Sequence, residues 1–223
     1  MSYKYLILDF GKVLAYPVTE EWFILPKFFE IINKTKFNKE KFDEGLQVYK
    51  EILGKKLKDE SEEFEMMTEY YKKVLEYSGY KVENIDEISD TIAKEFVYEN
   101  DKYKLYEDVK EALEKYSKKY ILICLSDNWP SGRRFMKDLG IYDYFDRVYI
   151  SSDYGYTKYD KLFFDEPIKD YGIKTDEAIF VDDSKILMDI AKEKGFVPML
   201  MDRNKETNEF KYKVLNSLAD IEE

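Results

Sequence analysis

Apolar residues along this chain fall into two textures. One is the short continuous run: Tyr5 to Leu8, Tyr120 to Leu125, the end of Arg147 to Ile150, Ala178 to Val181, and Phe196 to Met201 as the last of them. Runs this brief and unbroken predict central parallel strands covered on both faces. The other texture is recurrence at three and four residues. Phe42, Leu46, Tyr49 and Leu53 follow it, as do Phe64, Met67, Tyr71, Val74 and Leu75, and then Ile85, Ile88, Ile92 and Phe96. These stripes predict helices with one buried face, and they read as core packing. Pro26 predicts a further helix start ahead of Phe28, Phe29 and Ile32. Residues 15–99 hold no strand-like run. From about residue 100 the two textures alternate. Val109, Ala112, Leu113 and Tyr116 mark a helix, and Pro130 opens another that stops at Gly140. A helix over Leu162 to Tyr171 is stopped by Gly172, and one through Ile186, Leu187, Ile190 and Ala191 is closed by Gly195. Val214, Leu215 and Leu218 predict a polar tail helix. The pattern predicts an α/β fold. A Rossmann-like, doubly wound parallel sheet is built from residues 1–14 and 100–223, and an all-helical insert occupies 15–99.

The strands stop at chemically useful residues. Tyr5 to Leu8 runs into Asp9 and the turn Phe10-Gly11-Lys12, the next into Ser126-Asp127-Asn128, and a third into Asp182-Asp183-Ser184. Crossovers between parallel strands are right-handed, so these ends share one edge, where open α/β sheets carry their ligands. Between the second and the last of these lies Gly155-Tyr156-Thr157-Lys158, a loop lysine just before a helix. Asp9, Asp182 and Asp183 offer hard oxygens suited to Mg²⁺. Ser126 can donate to a phosphoryl oxygen, Lys158 can neutralise it, and backbone N–H groups after Asp9 can cradle it. Together they suit phosphoryl transfer with an attacking aspartate and an acyl-phosphate intermediate. Lys12, Asn128 and Trp129 are candidates for lining the crevice. Tyr16 and Trp22 begin the insert and are expected to pack it on the core. Arg133 and Arg134 are expected on the surface of a first helical turn, and Asp189 on a solvent-facing helix position.

Composition narrows the chemistry. The chain has 223 residues and no histidine, which excludes Ser-His-Asp and Cys-His catalysis and His-ligated zinc. The formal charge of −11 argues against nucleic acid or an anionic membrane as partner. No apolar stretch reaches the length of a membrane span. A single cysteine, Cys124, lies inside an apolar run and reads as a small core residue. With no secretion signal before the first strand, a reducing cytoplasm is expected.

In order, Asp9, Ser126, Lys158 and Asp182-Asp183 resemble the four motifs of the haloacid dehalogenase (HAD) superfamily of hydrolases. Leu8-Asp9-Phe10-Gly11-Lys12-Val13-Leu14 is similar to the first motif and Leu125-Ser126-Asp127-Asn128 to the second. Ser151 to Asp160 is similar to the third, and Phe180-Val181-Asp182-Asp183-Ser184, with Ala191 and Gly195, to the fourth. The likeness covers residues 1–14 and about 100–200. It implies Asp9 as nucleophile, with Ser126, Lys158 and Asp183 in the catalytic set. It implies Mg²⁺ held by Asp9, the Gly11 carbonyl, Asp182 and Asp183. Lys12, Ser126, Asp127, Asn128 and Lys158 would contact substrate, and the insert would be a cap. The expected activity is a phosphatase acting on a small phosphorylated metabolite. The alternatives are a metal-free haloacid dehalogenase and a catalytically weak member that binds a partner. Two positions depart from the pattern. Gly11 stands where phosphatases of the superfamily usually carry a second aspartate as general acid/base, a group typically worth about a hundred- to ten-thousand-fold. Tyr159 replaces a proline that commonly follows the lysine.

Overall fold

The computed structural model describes residues 3–222. Its centre is a six-stranded sheet built from β1 (Tyr5–Leu8), β4 (Ile121–Ser126), β5 (Arg147–Ile150), β6 (Ala178–Asp182), β7 (Val197–Met201) and β8 (Lys213–Leu215). The order is β5-β4-β1-β6-β7-β8, and every neighbouring pair runs parallel. β1 is fully buried because it is covered on both faces, which is why its text is continuous rather than alternating. One face packs on α5 (Val109–Ser117) and α6 (Ser131–Asp138), through Val109, Leu113 and Phe135. The other packs on α7 (Asp165–Tyr171) and α8 (Lys185–Glu193), where Phe164, Phe180, Leu187 and Phe196 meet. Cys124 is buried in the sheet, and that burial raises its thiol pKa.

The segment between β1 and α5 is mostly helical, as its periodicity predicts. It holds α1 (Phe28–Ile31), α2 (Lys39–Val48), α3 (Glu60–Tyr77) and α4 (Ile85–Tyr98). α3 begins at Asp59, whose side chain accepts from the amides of Ser61 and Glu62 and satisfies two donors that a helix start leaves open. Phe42, Met67, Tyr71, Val74, Ile92 and Phe96 form a hydrophobic cluster separate from the two that flank the sheet.

Two expectations need correction. Residues 15–99 are not free of strand: β2 (Ala15–Pro17) pairs antiparallel with β3 (Tyr103–Leu105), Tyr16 opposite Lys104. Three residues ending in proline are too few to carry a period-two signal. The tail is also not a helix. Val214 and Leu215 lie in β8, beside β7, and only a 3₁₀ turn follows at Leu218–Glu222. Their spacing suits a helix, but the open edge of β7 offers backbone partners for three residues, which a short polar helix does not. A smaller difference lies at 162–171. A 3₁₀ turn over Leu162–Phe164, entered through left-handed Lys161, precedes α7. α7 then ends, as expected, at Gly172 with φ +60.

Candidate active site

Asp9 lies just past β1 and Ser126 ends β4, its neighbour. Asp182 ends β6, the neighbour on the other side. Parallel register therefore brings three sequence-distant strand ends to one edge. The Asp9 amide donates to the Val181 carbonyl at 3.0 Å, which fixes the carboxylate beside the Asp182-Asp183 pair. One oxygen from each of Asp9, Asp182 and Asp183 lies within 4.8 Å of the others.

Lys158 enters this edge from a loop shaped by its neighbours. Thr157 and Asp160 close a capping box around the turn Lys158–Asp160, and Asp127 accepts from the Lys158 amide at 3.0 Å. The side chain of Lys158 is 3% exposed, with Nζ 2.5 Å from Asp182 Oδ2 and 2.9 Å from Asp9 Oδ1. Asp182 also accepts from the Ser184 amide through Oδ1. Burial opposes the charge on Lys158, but Asp182, Asp9 and Asp127 hold its pKa well above the usual value. Burial pushes the Asp9 carboxyl up to about 7, with Lys158 pulling down and Asp182 pushing further up. Asp183 is raised by burial and by Asp182, against the pull of Lys12. Asp127 is raised by burial, against Lys158.

The site therefore holds four carboxylates around one buried ammonium. The remaining cation, Lys12, sits 3.5 Å from Asp183 with its side chain 58% exposed. Asp9 Oδ1 is buried and meets the Lys158 ammonium at 2.9 Å. A surplus of negative charge at this buried edge is what a hard divalent cation compensates. The donor set of Asp9, Asp182 and Asp183 thus fits such an ion.

The backbone of the first turn is set at Lys12. The left-handed residue is Lys12, at φ 54, while Gly11 has no positive φ. What limits a side chain at Gly11 is Trp22: an ideal Cβ there would lie 3.2 Å from the indole Cη2. The Lys12 amide donates to the Ala15 carbonyl, which removes one of the expected cradle donors. Asp127, Asn128 and Ser126 line the cavity above Asp9. The Asp127 carboxylate is turned to the Lys158 amide, and Asn128 Oδ1 accepts from the Trp129 amide, so both organise the loop.

The rest of the wall is aromatic. Trp22, Phe23, Phe96, Tyr103 and Trp129 close a cavity of about 260 Å³ over Asp9. The helical stripe that signals Phe96 as core gives no sign that it also faces the cavity, and nothing marks Phe23 or Tyr103. Tyr16 instead packs on Tyr106, 4.9 Å between rings. Arg133 and Arg134 are not solvated surface residues. Arg133 pairs with Asp153, while Arg134 reaches across to Glu60, Asn100 and the Val97 carbonyl. Asp189 is exposed as expected, paired with Lys211.

Comparison with known proteins agrees with this geometry. The family model for haloacid dehalogenase-like hydrolases matches residues 3–192. No curated protein matches the chain. Among solved structures, the chain is similar to YfnB of Bacillus subtilis, described as a HAD-hydrolase, bound to magnesium and showing interdomain movement. The two are 13% identical with a TM-score of 0.70, over 99% of this chain and 97% of that one. It is similar to a 2-haloacid dehalogenase from Pseudomonas syringae pv. Tomato DC3000 at 16% identity and TM-score 0.70, over 99% and 96%. It is also similar to a HAD phosphatase from Thermococcus onnurineus at 20% identity and TM-score 0.61, over 97% and 95%. At these identities the likeness speaks for the fold.

Proposed function

The chain belongs to the haloacid dehalogenase-like hydrolases, and from that premise we propose that it is a Mg²⁺-dependent phosphomonoesterase working through an aspartyl-phosphate on Asp9. The observation that supports phosphate over halide is the charge balance. Four carboxylates, Asp9, Asp127, Asp182 and Asp183, surround one buried lysine. A dehalogenase, which uses its aspartate without metal, has no need of that surplus.

In this reading Asp9, Asp182, Asp183 and the Gly11 carbonyl would hold Mg²⁺, which would supply positive charge to offset these carboxylates and the phosphoryl dianion. An Asp9 carboxylate oxygen attacks phosphorus, and the bond from phosphorus to the leaving oxygen breaks. Lys158 stays protonated beside the attacked group and offsets its charge, held by Asp182. Ser126 donates to a phosphoryl oxygen. Water then attacks the aspartyl-phosphate, releasing inorganic phosphate and restoring Asp9. The helical insert over 15–99 acts as a cap that excludes bulk water. The substrate is a small phosphorylated metabolite.

The test is hydrolysis of p-nitrophenyl phosphate with Mg²⁺ or EDTA, beside chloride release from 2-chloropropionate. Phosphate release that requires Mg²⁺ and falls roughly 10⁴-fold or more in Asp9→Asn, with its melt almost unchanged, is expected. Chloride release that survives EDTA would replace this reading with the dehalogenase.

A further inference from the structure

The cavity over Asp9 is chemically divided. Its floor carries every charged group of the lining: Asp9, Asp127, Asp183 and Lys12. Its upper wall, apart from Asn128, is made of aromatic rings. These come from four separate parts of the chain: the segment after β2 (Trp22, Phe23), α4 (Phe96), β3 (Tyr103) and the loop after β4 (Trp129). The rings brace one another. Phe23 stacks on Phe96 at 6.0 Å, Phe96 meets Trp129 edge-on at 5.6 Å, and Trp22 leans on Tyr103 at 5.7 Å.

One polar group of this wall is already engaged. The Trp129 indole N–H donates to the Leu53 carbonyl at 3.1 Å. A sugar or glycerol leaving group would bring several hydroxyls against ring carbons, and each hydroxyl that loses water without a new partner carries a cost. An aromatic ring meets the opposite balance, since it sheds water from apolar surface and finds edge and face partners. Volume sets a second limit. About 260 Å³ lies just below the usual range for small-molecule pockets, roughly 300–1,000 Å³. That suits a phosphoryl group with one ring.

Building on the phosphatase reading above, we infer that the substrate is a phosphomonoester whose leaving group carries a single aromatic ring, seated among Trp22, Phe23, Phe96 and Trp129. Such a ring also bears on the missing acid. With Gly11 in place of a carboxylate, a phenol-type leaving group departs without a proton donor far more readily than an alkoxide does.

Binding of non-hydrolysable analogues separates the ring from the chemistry. Calorimetry with Mg²⁺ compares benzylphosphonate, methylphosphonate and inorganic phosphate on the wild type and on Trp22→Ala. Benzylphosphonate is expected to bind about ten- to a hundredfold tighter than methylphosphonate, from the apolar surface that its ring buries. Trp22→Ala should remove most of that advantage, read as the ratio of the two affinities in the same variant. Trp22→Phe, which keeps a ring, should retain part of it. Equal or weaker binding of benzylphosphonate on the wild type overturns the inference, whatever inorganic phosphate does. If benzylphosphonate binds while inorganic phosphate and methylphosphonate do not, the aromatic pocket stands and the phosphatase reading falls.

Discussion

At Gly11 a single missing side chain bears directly on how the proposed leaving group would be handled. The residue is not left-handed, so the backbone itself permits a side chain. The obstacle is the Trp22 ring, 3.2 Å from where Cβ would sit, and Trp22 is only half-buried, so it can give way. Gly11→Asp should therefore fold, with a stability loss of about 1–3 kcal/mol from the crowding. If the wild type lacks a proton donor, its rate should depend steeply on leaving-group pKa. The variant should flatten that dependence, gaining most on alkyl phosphates. A leaving-group series on both proteins, with a melt on each, checks this; a flat series in the wild type would mean another group already supplies the proton. Lys12, in contrast, owes its place to a left-handed turn, and its ammonium stays half in water beside Asp183.

At the scale of elements, α3 meets the start of α6 through a buried polar contact. Glu63 accepts from the Ser131 amide at 2.7 Å and from its hydroxyl at 2.6 Å. Lys102 lies nearby, 3% exposed, 3.5 Å from the Phe96 ring centre, and Glu60 and Arg134 complete the surroundings. Burial pushes the Glu63 carboxyl up to about 7, although the Ser131 donors and Lys102 pull it back. Burial likewise pushes Lys102 down to about 7. A raised carboxyl pKa means that the folded protein holds a proton which the unfolded chain releases. The Glu63 contribution to stability is then present below about pH 4.5 and is lost as pH rises towards 7. The full span is worth on the order of 3 kcal/mol. Glu63→Gln keeps the shape and an acceptor for Ser131. Its melting temperature should vary less than that of the wild type between about pH 5 and 7, and a parallel pair of pH profiles would show that Glu63 does not titrate there.

Across the whole molecule, the insert and the sheet are joined in two different ways. The β2–β3 ribbon is continuous backbone pairing, extended by Tyr106 donating to Leu14 and Val18 to Lys102. Away from the ribbon the ties are scattered: the Leu57 amide to the Ser152 carbonyl, the Ser131 amide and hydroxyl to Glu63, Trp129 to Leu53, and Arg134 to Glu60, Asn100 and the Val97 carbonyl. If the insert is a cap, substrate enters between these parts, and scattered ties open more easily than a ladder. The ribbon is then expected to act as the hinge. Amide exchange at Leu57 and Ser131 should be faster than at Tyr106 and Val18, and should slow when Mg²⁺ and inorganic phosphate are bound. Exchange at Leu57 and Ser131 unaffected by those ligands would count against closure.

Much of this was legible before any coordinates. Five buried strands could be read because covered strands are written as continuous apolar runs, and the helices of the insert because one buried face repeats every three to four residues. Asp9, Ser126, Lys158 and Asp182-Asp183 could be named from their places at strand ends and in one loop, because parallel pairing brings such ends to one edge. The text was silent wherever the deciding partner lay far along the chain. β2 and β8 exist because open backbone edges at Tyr103–Leu105 and β7 recruit three residues each, too few to leave a pattern. Arg133 and Arg134 look like surface residues until Asp153 and Glu60 are brought beside them. The aromatic wall is the clearest case. A ring that packs the insert and a ring that faces Asp9 obey the same periodicity, and only the meeting of insert and sheet separates them.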